Sequence, residues 1–255
     1  MASMSRIVVF DSGLGSLSII REIQKIGKYE IIYFGDQESF PYGKKSKKQL
    51  AKIIKNSIEK LREEFSPDLI VIGSNTPTIL LDIKDGYVIG VRPPILYAAN
   101  ISETKNIGIL GTESAVQSRE LSKYIKKINL DSHINVHKIN GSQLVGLVES
   151  GKFLTNIPIC RKKIQEILSS VIEVNRIDTI TLSSTHLPFL RNIMEKKFPS
   201  VKFVDPAKEI AEKISKTIRS GSKKQLKIFA SGDIRKFQEN LSMLGVHNKV
   251  RPLSI

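Results

Sequence analysis

Two segments of the chain repeat each other: DLIVIGSNTPTIL, Asp68 to Leu80, and DTITLSSTHLPFL, Asp178 to Leu190. Each opens on an aspartate, continues as an apolar β-branched run, reaches a serine (Ser74 or Ser184) and then turns into threonine and proline. In the first copy Thr76 can cap a helix whose first position is Pro77, where proline has no N–H to lose. In the second, Thr185 or Ser184 is the cap and Pro188 falls in the first turn. The open N–H groups of a helix start attract carboxylates, so two such starts facing each other suit a ligand with two carboxylates. His186 is the one histidine of four that lies inside such a loop. An imidazole with an ordinary pKa of about 6.5 suits proton transfer, and the plainer reading is a structural or exposed ring. No second histidine or cysteine stands beside it, so no metal site is expected.

Two further stretches carry polar residues at strand ends. In FDSGLGSLSIIREI, Asp11 and Ser12 follow a buried-strand pattern, and Gly13 and Gly15 allow a tight turn before a helix. The spacing matches neither G-x-G-x-x-G nor the P-loop, and an aspartate would repel phosphate. A helix N-cap is the commoner role for such a residue. In YFGDQESFPYGKKS a strand ends at Phe34 and a loop follows. There Pro41 and Gly43 read as turn residues, while Tyr42 and the Gly43 backbone can close over a ligand. A weaker echo aligns IVVFDSGLG with IGILGTESA, setting Asp11 and Ser12 against Gly111 and Thr112.

Positioning these groups falls to short β-branched runs that alternate with longer segments of 3.6-residue period, the pattern of parallel sheets covered by helices. Strands are expected over 6–10, 29–34, 68–73, 87–91, 106–111, 134–139, 178–183, 201–205 and 226–231. Nine strands exceed one ordinary doubly wound sheet. The expected fold class is therefore α/β, with two pseudo-symmetric α/β domains, each a mostly parallel sheet flanked by helices, and an active-site cleft between them. The boundaries expected are 1–95 plus 206–255 for the first domain and 96–205 for the second. Both echoes put polar residues at the carboxyl end of a strand, where open α/β sheets bind ligands.

The 255 residues are 40% hydrophobic and 6% aromatic, with no tryptophan, which fits a globular α/β protein. No apolar run approaches the roughly 20 residues of a membrane span, and MASMSRIVVF runs into a strand without a signal-peptide core. The expected compartment is the cytoplasm, with no membrane partner. Met1 to Ser3 are set aside, since Met4 would serve equally as initiator. Cys160, the single cysteine, excludes an internal disulfide and reads as a buried structural thiol. The formal charge is +15, but the lysines of KKSKKQLAKIIKNSIEKLREE leave an apolar stripe, as on a solvated helix face. Only GKKSKK is dense, and no nucleic-acid motif accompanies the charge, so nucleic acid is not expected as the main partner.

Taken in order, FDSGLGSL (10–17), YFGDQESFPYGKKS (33–46), DLIVIGSNTPT (68–78), GLVESG (146–151) and LSSTHLPFL (182–190) resemble the glutamate racemases of the aspartate/glutamate racemase family. The resemblance implies an isomerase that works without a cofactor, supplying D-glutamate for cell-wall synthesis where the source makes peptidoglycan. In that family two cysteines from opposite domains flank the substrate α-carbon, one as thiolate taking a proton and the other as thiol returning one. The positions matching those cysteines are Ser74 and Ser184. Asp11, Glu149 and His186 match the auxiliary acid–base groups. Ser12, Pro41, Tyr42, Gly43, Asn75, Thr76, Thr112, Thr185 and His186 match substrate-binding positions, with Asp11 in both sets. A cysteine has some thiolate at neutral pH and an alcohol has almost none. The readings left open are a slow racemase of glutamate or aspartate working through Asp11 and His186, a non-enzymatic binder of an acidic metabolite, a double cysteine-to-serine inactivated variant, and a relative with altered diacid chemistry. The expected partner is a small acidic amino acid, and a homodimer is left open.

Overall fold

The computed structural model describes residues 5–255; Met1 to Ser3 and the alternative start Met4 lie outside the described residues. Among the described residues ten strands occur in chain order: β1 (Arg6–Asp11), β2 (Glu30–Gly35), β3 (Leu69–Ile72), β4 (Val88–Gly90), β5 (Asn106–Gly111), β6 (Asn135–Asn140), β7 (Thr179–Ser183), β8 (Lys202–Val204), β9 (Gln225–Ala230) and β10 (Val250–Pro252). They form two all-parallel sheets, ordered β10-β9-β2-β1-β3-β4 and β6-β5-β7-β8. The nine expected strands are all present within a residue or two of their expected ends. The tenth, VRP, was missed because three residues ending in proline carry no alternation to read, and such a strand is confined to a sheet edge.

The chain divides into two compact units, one running to Val91 and resuming over Ala207–Ile255, the other Arg92–Pro206. In the first unit, β1, β2 and β3 are buried along almost their full length, as parallel strands covered on both faces must be. Their side chains meet helices such as Lys47–Phe65, whose inward face is Leu50, Ile54, Ser57, Ile58 and Leu61. That helix starts with a capping box: Ser46 Oγ accepts from Gln49 N, and Gln49 Oε1 accepts from Ser46 N. Its lysines lie on the opposite, solvated side, as the periodicity predicts.

The four strands β2-β1-β3-β4 of the first unit have the same order and direction as β6-β5-β7-β8 of the second. Matching backbone bonds continue the likeness beyond the strand ends. Asp36 N donates to Asp11 O at 2.8 Å in the first unit, and Gly141 N donates to Gly111 O at 2.7 Å in the second. The aspartates that open the two repeated segments also share a task. Asp68 accepts from Arg6 N at the start of β1, and Asp178 accepts from Glu103 N, Thr104 N and Ser102 Oγ just before β5. Each holds the entry to the central strand of its own sheet, at the end remote from the serines.

Candidate functional site

In the first unit the polar residues gather at the carboxyl ends of β1, β2 and β3. Asp11, the last residue of β1, is fully buried, and its Oδ1 accepts from Ser12 N at 2.7 Å. It is not a helix N-cap, the plainer expectation: the next helix begins at Leu17 with Ser16 before it. Ser12 O accepts from Gln37 Nε2 at 2.7 Å, and Gly13 O accepts from the Tyr33 hydroxyl. Asp36, just beyond β2, accepts from the Tyr42 hydroxyl at 3.0 Å and from Ser231 Oγ at 3.2 Å. Tyr42 is buried in the turn that follows the cis Phe40–Pro41 bond, with Gly43 next to it. Burial first, then the nearby charges of Asp36 and Asp11, push the Tyr42 phenol well above its ordinary value. It is held as a neutral donor.

Ser74 ends the approach from β3. Gly73 before it is required by contact: a Cβ there would meet Ser16 Oγ at 1.9 Å. The helix that follows is Asn75–Leu80, with Ser74 as N-cap and no side-chain cap bond. It therefore starts earlier than the expected Thr76 cap and Pro77 first position. Two anchors account for this: Asn75 Nδ2 donates to Val91 O at 3.2 Å, and the Thr78 hydroxyl donates to Ser74 O and Asn75 O, tightening the first turn. Ser74, Asn75 and Thr76 are all buried, and Asn75 Oδ1 has no hydrogen-bond partner in the structure.

In the second unit the corresponding group lies after β7. Ser184, Thr185 and His186 are buried, and a short 3-10 turn, Leu187–Leu190, follows with His186 as its N-cap and Pro188 in its first turn. The expected caps, Thr185 or Ser184, are displaced by one or two residues because the turn is 3-10, with Leu187 N donating to Ser184 O at 3.0 Å. His186 Nε2 is bonded directly to Glu149 Oε1, from the last residue of helix Ser142–Glu149. His186 Nδ1 is 3.4 Å from Ser184 Oγ. A carboxylate only accepts, so in the neutral ring the hydrogen sits on Nε2 and the Nδ1 lone pair faces the serine. The result is a continuous relay, Glu149 to His186 to Ser184. Ser183 Oγ is bonded instead to Thr181 Oγ1 at 2.8 Å. Thr112, after β5, is the N-cap of Glu113–Val116, with its Oγ1 3.4 Å from Ser114 Oγ.

Each unit thus collects its own share of the expected residues: Asp11, Ser12, Pro41, Tyr42, Gly43, Ser74, Asn75 and Thr76 in the first, Thr112, Glu149, Ser184, Thr185 and His186 in the second. Cys160 belongs to neither group. It is fully buried on the helix Ile157–Asn175 beside Ile164 and Leu168, and burial pushes its thiol up, away from a poised thiolate. Asp36 and Ser231 are the participants that sequence reasoning missed. The Gly-Asp pair after β2 was a usable signal; Ser231 joins from 195 positions away and had none. Among the described residues no helix is long and apolar enough to cross a membrane, and no cluster of metal-ligating side chains occurs.

No protein-family model matches the chain. It is 31% identical over 216 residues to the glutamate racemase of Actinobacillus pleuropneumoniae serotype 3, covering 82% of this chain and 80% of that protein. It is 30% identical over 246 residues to the glutamate racemase of a Sulfurihydrogenibium species, covering 92% of each. Among solved structures, a glutamate racemase isoform from Bacillus anthracis superposes with a TM-score of 0.85 at 26% identity, covering 98% of each chain.

Proposed function

The chain belongs to the glutamate racemase family, and on that premise we propose that it binds glutamate or aspartate through the two serine-containing loops, with proton transfer at the α-carbon slowed by oxygen in place of sulfur. The observation that carries this reading is the Glu149–His186–Ser184 relay. It is a complete proton path whose terminal atom is an alcohol. Removing an α-proton requires a base, and a serine hydroxyl supplies almost no alkoxide at neutral pH, whereas a cysteine would supply thiolate. The imidazole is then the strongest base of the second loop, with Glu149 placed to stabilise the imidazolium once the ring takes a proton. In the first loop Asp11 is the available carboxylate, and the neutral Tyr42 phenol and Asn75 amide suit a polar, charged ligand.

Calorimetric titration with both enantiomers of glutamate and of aspartate tests binding; no heat and no thermal stabilisation from any of the four would overturn it. Chemistry is tested separately by incubating bound ligand in heavy water and following the α-proton by NMR. Slow or absent exchange is expected in the protein as it stands. Ser74→Cys together with Ser184→Cys should raise exchange by on the order of 100-fold or more. An unchanged rate would mean that the serines are not what limits the reaction.

A further inference from the structure

A charge of +15 is larger than a single small acidic ligand needs for its neutralisation, and part of it lies in one stretch of the fold. Helix Leu17–Ile26 and helix Ala207–Thr217 pack against each other in the first unit. Both run back from the carboxyl ends of the strands and finish near the amino ends of β2 and β9. There Gly221 N donates to Lys28 O at 2.7 Å, Lys28 N donates to Ser220 Oγ at 2.8 Å, and Gln225 N donates to Tyr29 O at 3.1 Å. These bonds fasten the connection before β9 against the connection before β2. Six exposed cations lie on these fastened connections and on the helix end that leads into them: Lys28, Lys213, Lys216, Arg219, Lys223 and Lys224.

None of the six has an ion-pair partner among the described residues, and no acidic residue occurs between Lys213 and Lys227. The neighbouring cations are already engaged, Lys25 with Glu22 and Lys227 with the buried Glu30. A lysine in the last turn of a helix complements the helix dipole, which accounts for Lys216. It does not account for Lys28, Arg219, Lys223 and Lys224, which lie outside helices. Glu209 and Glu212, exposed on helix Ala207–Thr217, lie one turn before Lys213 and Lys216 without an ion pair to them among the described residues, whereas on helix Lys47–Phe65 Lys55 lies 3.8 Å from Glu59.

We propose that this amino edge of the first unit's sheet, formed by residues 28 and 213–224, is a docking surface for the phosphate backbone of a duplex nucleic acid. An unpaired run of cations is the electrostatic counterpart of a phosphate ladder and binds it by releasing counterions. The neighbouring side chains select the duplex among polyanions. Ile26 is the one large apolar side chain exposed in this region, too little to enter a lipid interface. Tyr29 is buried, so no ring is offered for stacking the bases of a single strand. The surface reads charge and spacing without base sequence. It lies at the opposite end of the strands from Asp11, Asp36 and Ser74, so it acts independently of the proposed amino-acid site.

Fluorescence anisotropy of a labelled duplex of about 20 base pairs, titrated with the full chain between roughly 25 and 200 mM KCl, tests the proposal. With six cations engaged, the logarithm of the binding constant should fall against the logarithm of salt with a slope of about −5. Replacing Arg219→Glu, Lys223→Glu and Lys224→Glu should weaken binding at least tenfold and reduce the slope to about −3. Lys52→Glu with Lys55→Glu should leave both unchanged. Should the reversed variant melt early, Arg219→Gln, Lys223→Gln and Lys224→Gln serve in its place. The proposal is overturned by no binding at the lowest salt, by equal binding of the altered proteins, or by tighter binding to a single strand of the same length or to phosphatidylserine vesicles.

Discussion

The Glu149–His186–Ser184 contacts end on a hydroxyl oxygen, and in the proposed relay the other two members act through placement. Glu149 holds the hydrogen on His186 Nε2, leaving Nδ1 toward the residue at 184. In a protein carrying Ser74→Cys and Ser184→Cys, the further change Glu149→Gln should lower α-proton exchange by on the order of 100-fold, since an amide can hold either tautomer and carries no charge to balance an imidazolium. Heavy-water NMR of the two proteins side by side checks this, and equal rates would remove Glu149 from the relay. Tyr42 gives a second residue-scale expectation. Its raised phenol should stay protonated while pH is carried past the ordinary tyrosine range. Tyr42→Phe should therefore remove absorbance change from above the ordinary range in an alkaline titration of tyrosinate, and an unaltered curve would place the phenol in a more open setting.

At the scale of elements, two carboxylates hold strand entries in place, the fully buried Glu30 and the half-buried Asp178. Glu30, fully buried at the start of β2, accepts from Arg6 Nε at 2.6 Å on β1 and from Lys227 Nζ on β9, so one side chain fastens three adjacent strands. Burial pushes its carboxyl up, and the bonds and charges of Lys227 and Arg6 outweigh that and hold it below the usual glutamate range. A folded-state pKa below the unfolded one contributes stability that is fully present above the unfolded value and is lost as pH falls through the folded one. The contribution of Glu30 is thus complete at neutral pH and disappears in acid. Glu30→Gln should cost about 2 kcal/mol at neutral pH, toward the low end for a buried pair because Arg6 and Lys227 remain partly hydrated. The accompanying fall in Tm should be roughly 4–8 °C, and the loss should shrink in acid. A melting series across pH measures both. Asp178 is held low in the same sense by Ser102 and the Thr104 and Glu103 amides, against its burial. Since Asp178 accepts from Ser102 Oγ, Glu103 N and Thr104 N and Asp68 from Arg6 N, Asp178→Ala should be more destabilising in urea than Asp68→Ala. Most of this scale was legible in the sequence. Apolar β-branched runs announced nine strands, and the repeated serine announced both loops. What stayed hidden depends on distant partners: the start of helix Asn75–Leu80 is set by the Val91 carbonyl, Asp36 acquires its role from Ser231, and Glu149 meets His186 only once both elements have packed.

For the whole molecule, a ligand that binds the folded chain and not the unfolded one must raise its melting temperature. At about 100 times its dissociation constant, glutamate should stabilise by about 2.7 kcal/mol, or roughly 5–10 °C for a protein of this size. A thermal scan against both enantiomers measures this, and a flat response at saturating concentration would count against the proposed ligand. The path of the backbone has another consequence. The first unit begins with β1 to β4 and recovers the chain only at Ala207, while the second is continuous from Arg92 to Pro206. The open side of β2 is covered by β9, which spans Gln225–Ala230. As the polypeptide emerges from a ribosome, the later-made unit can therefore finish folding before the earlier one does. Until residues 225–230 have been synthesised, β2 presents an unpaired apolar edge to its surroundings. Vectorial synthesis makes that strand the place where a nascent chain most needs shielding from its neighbours.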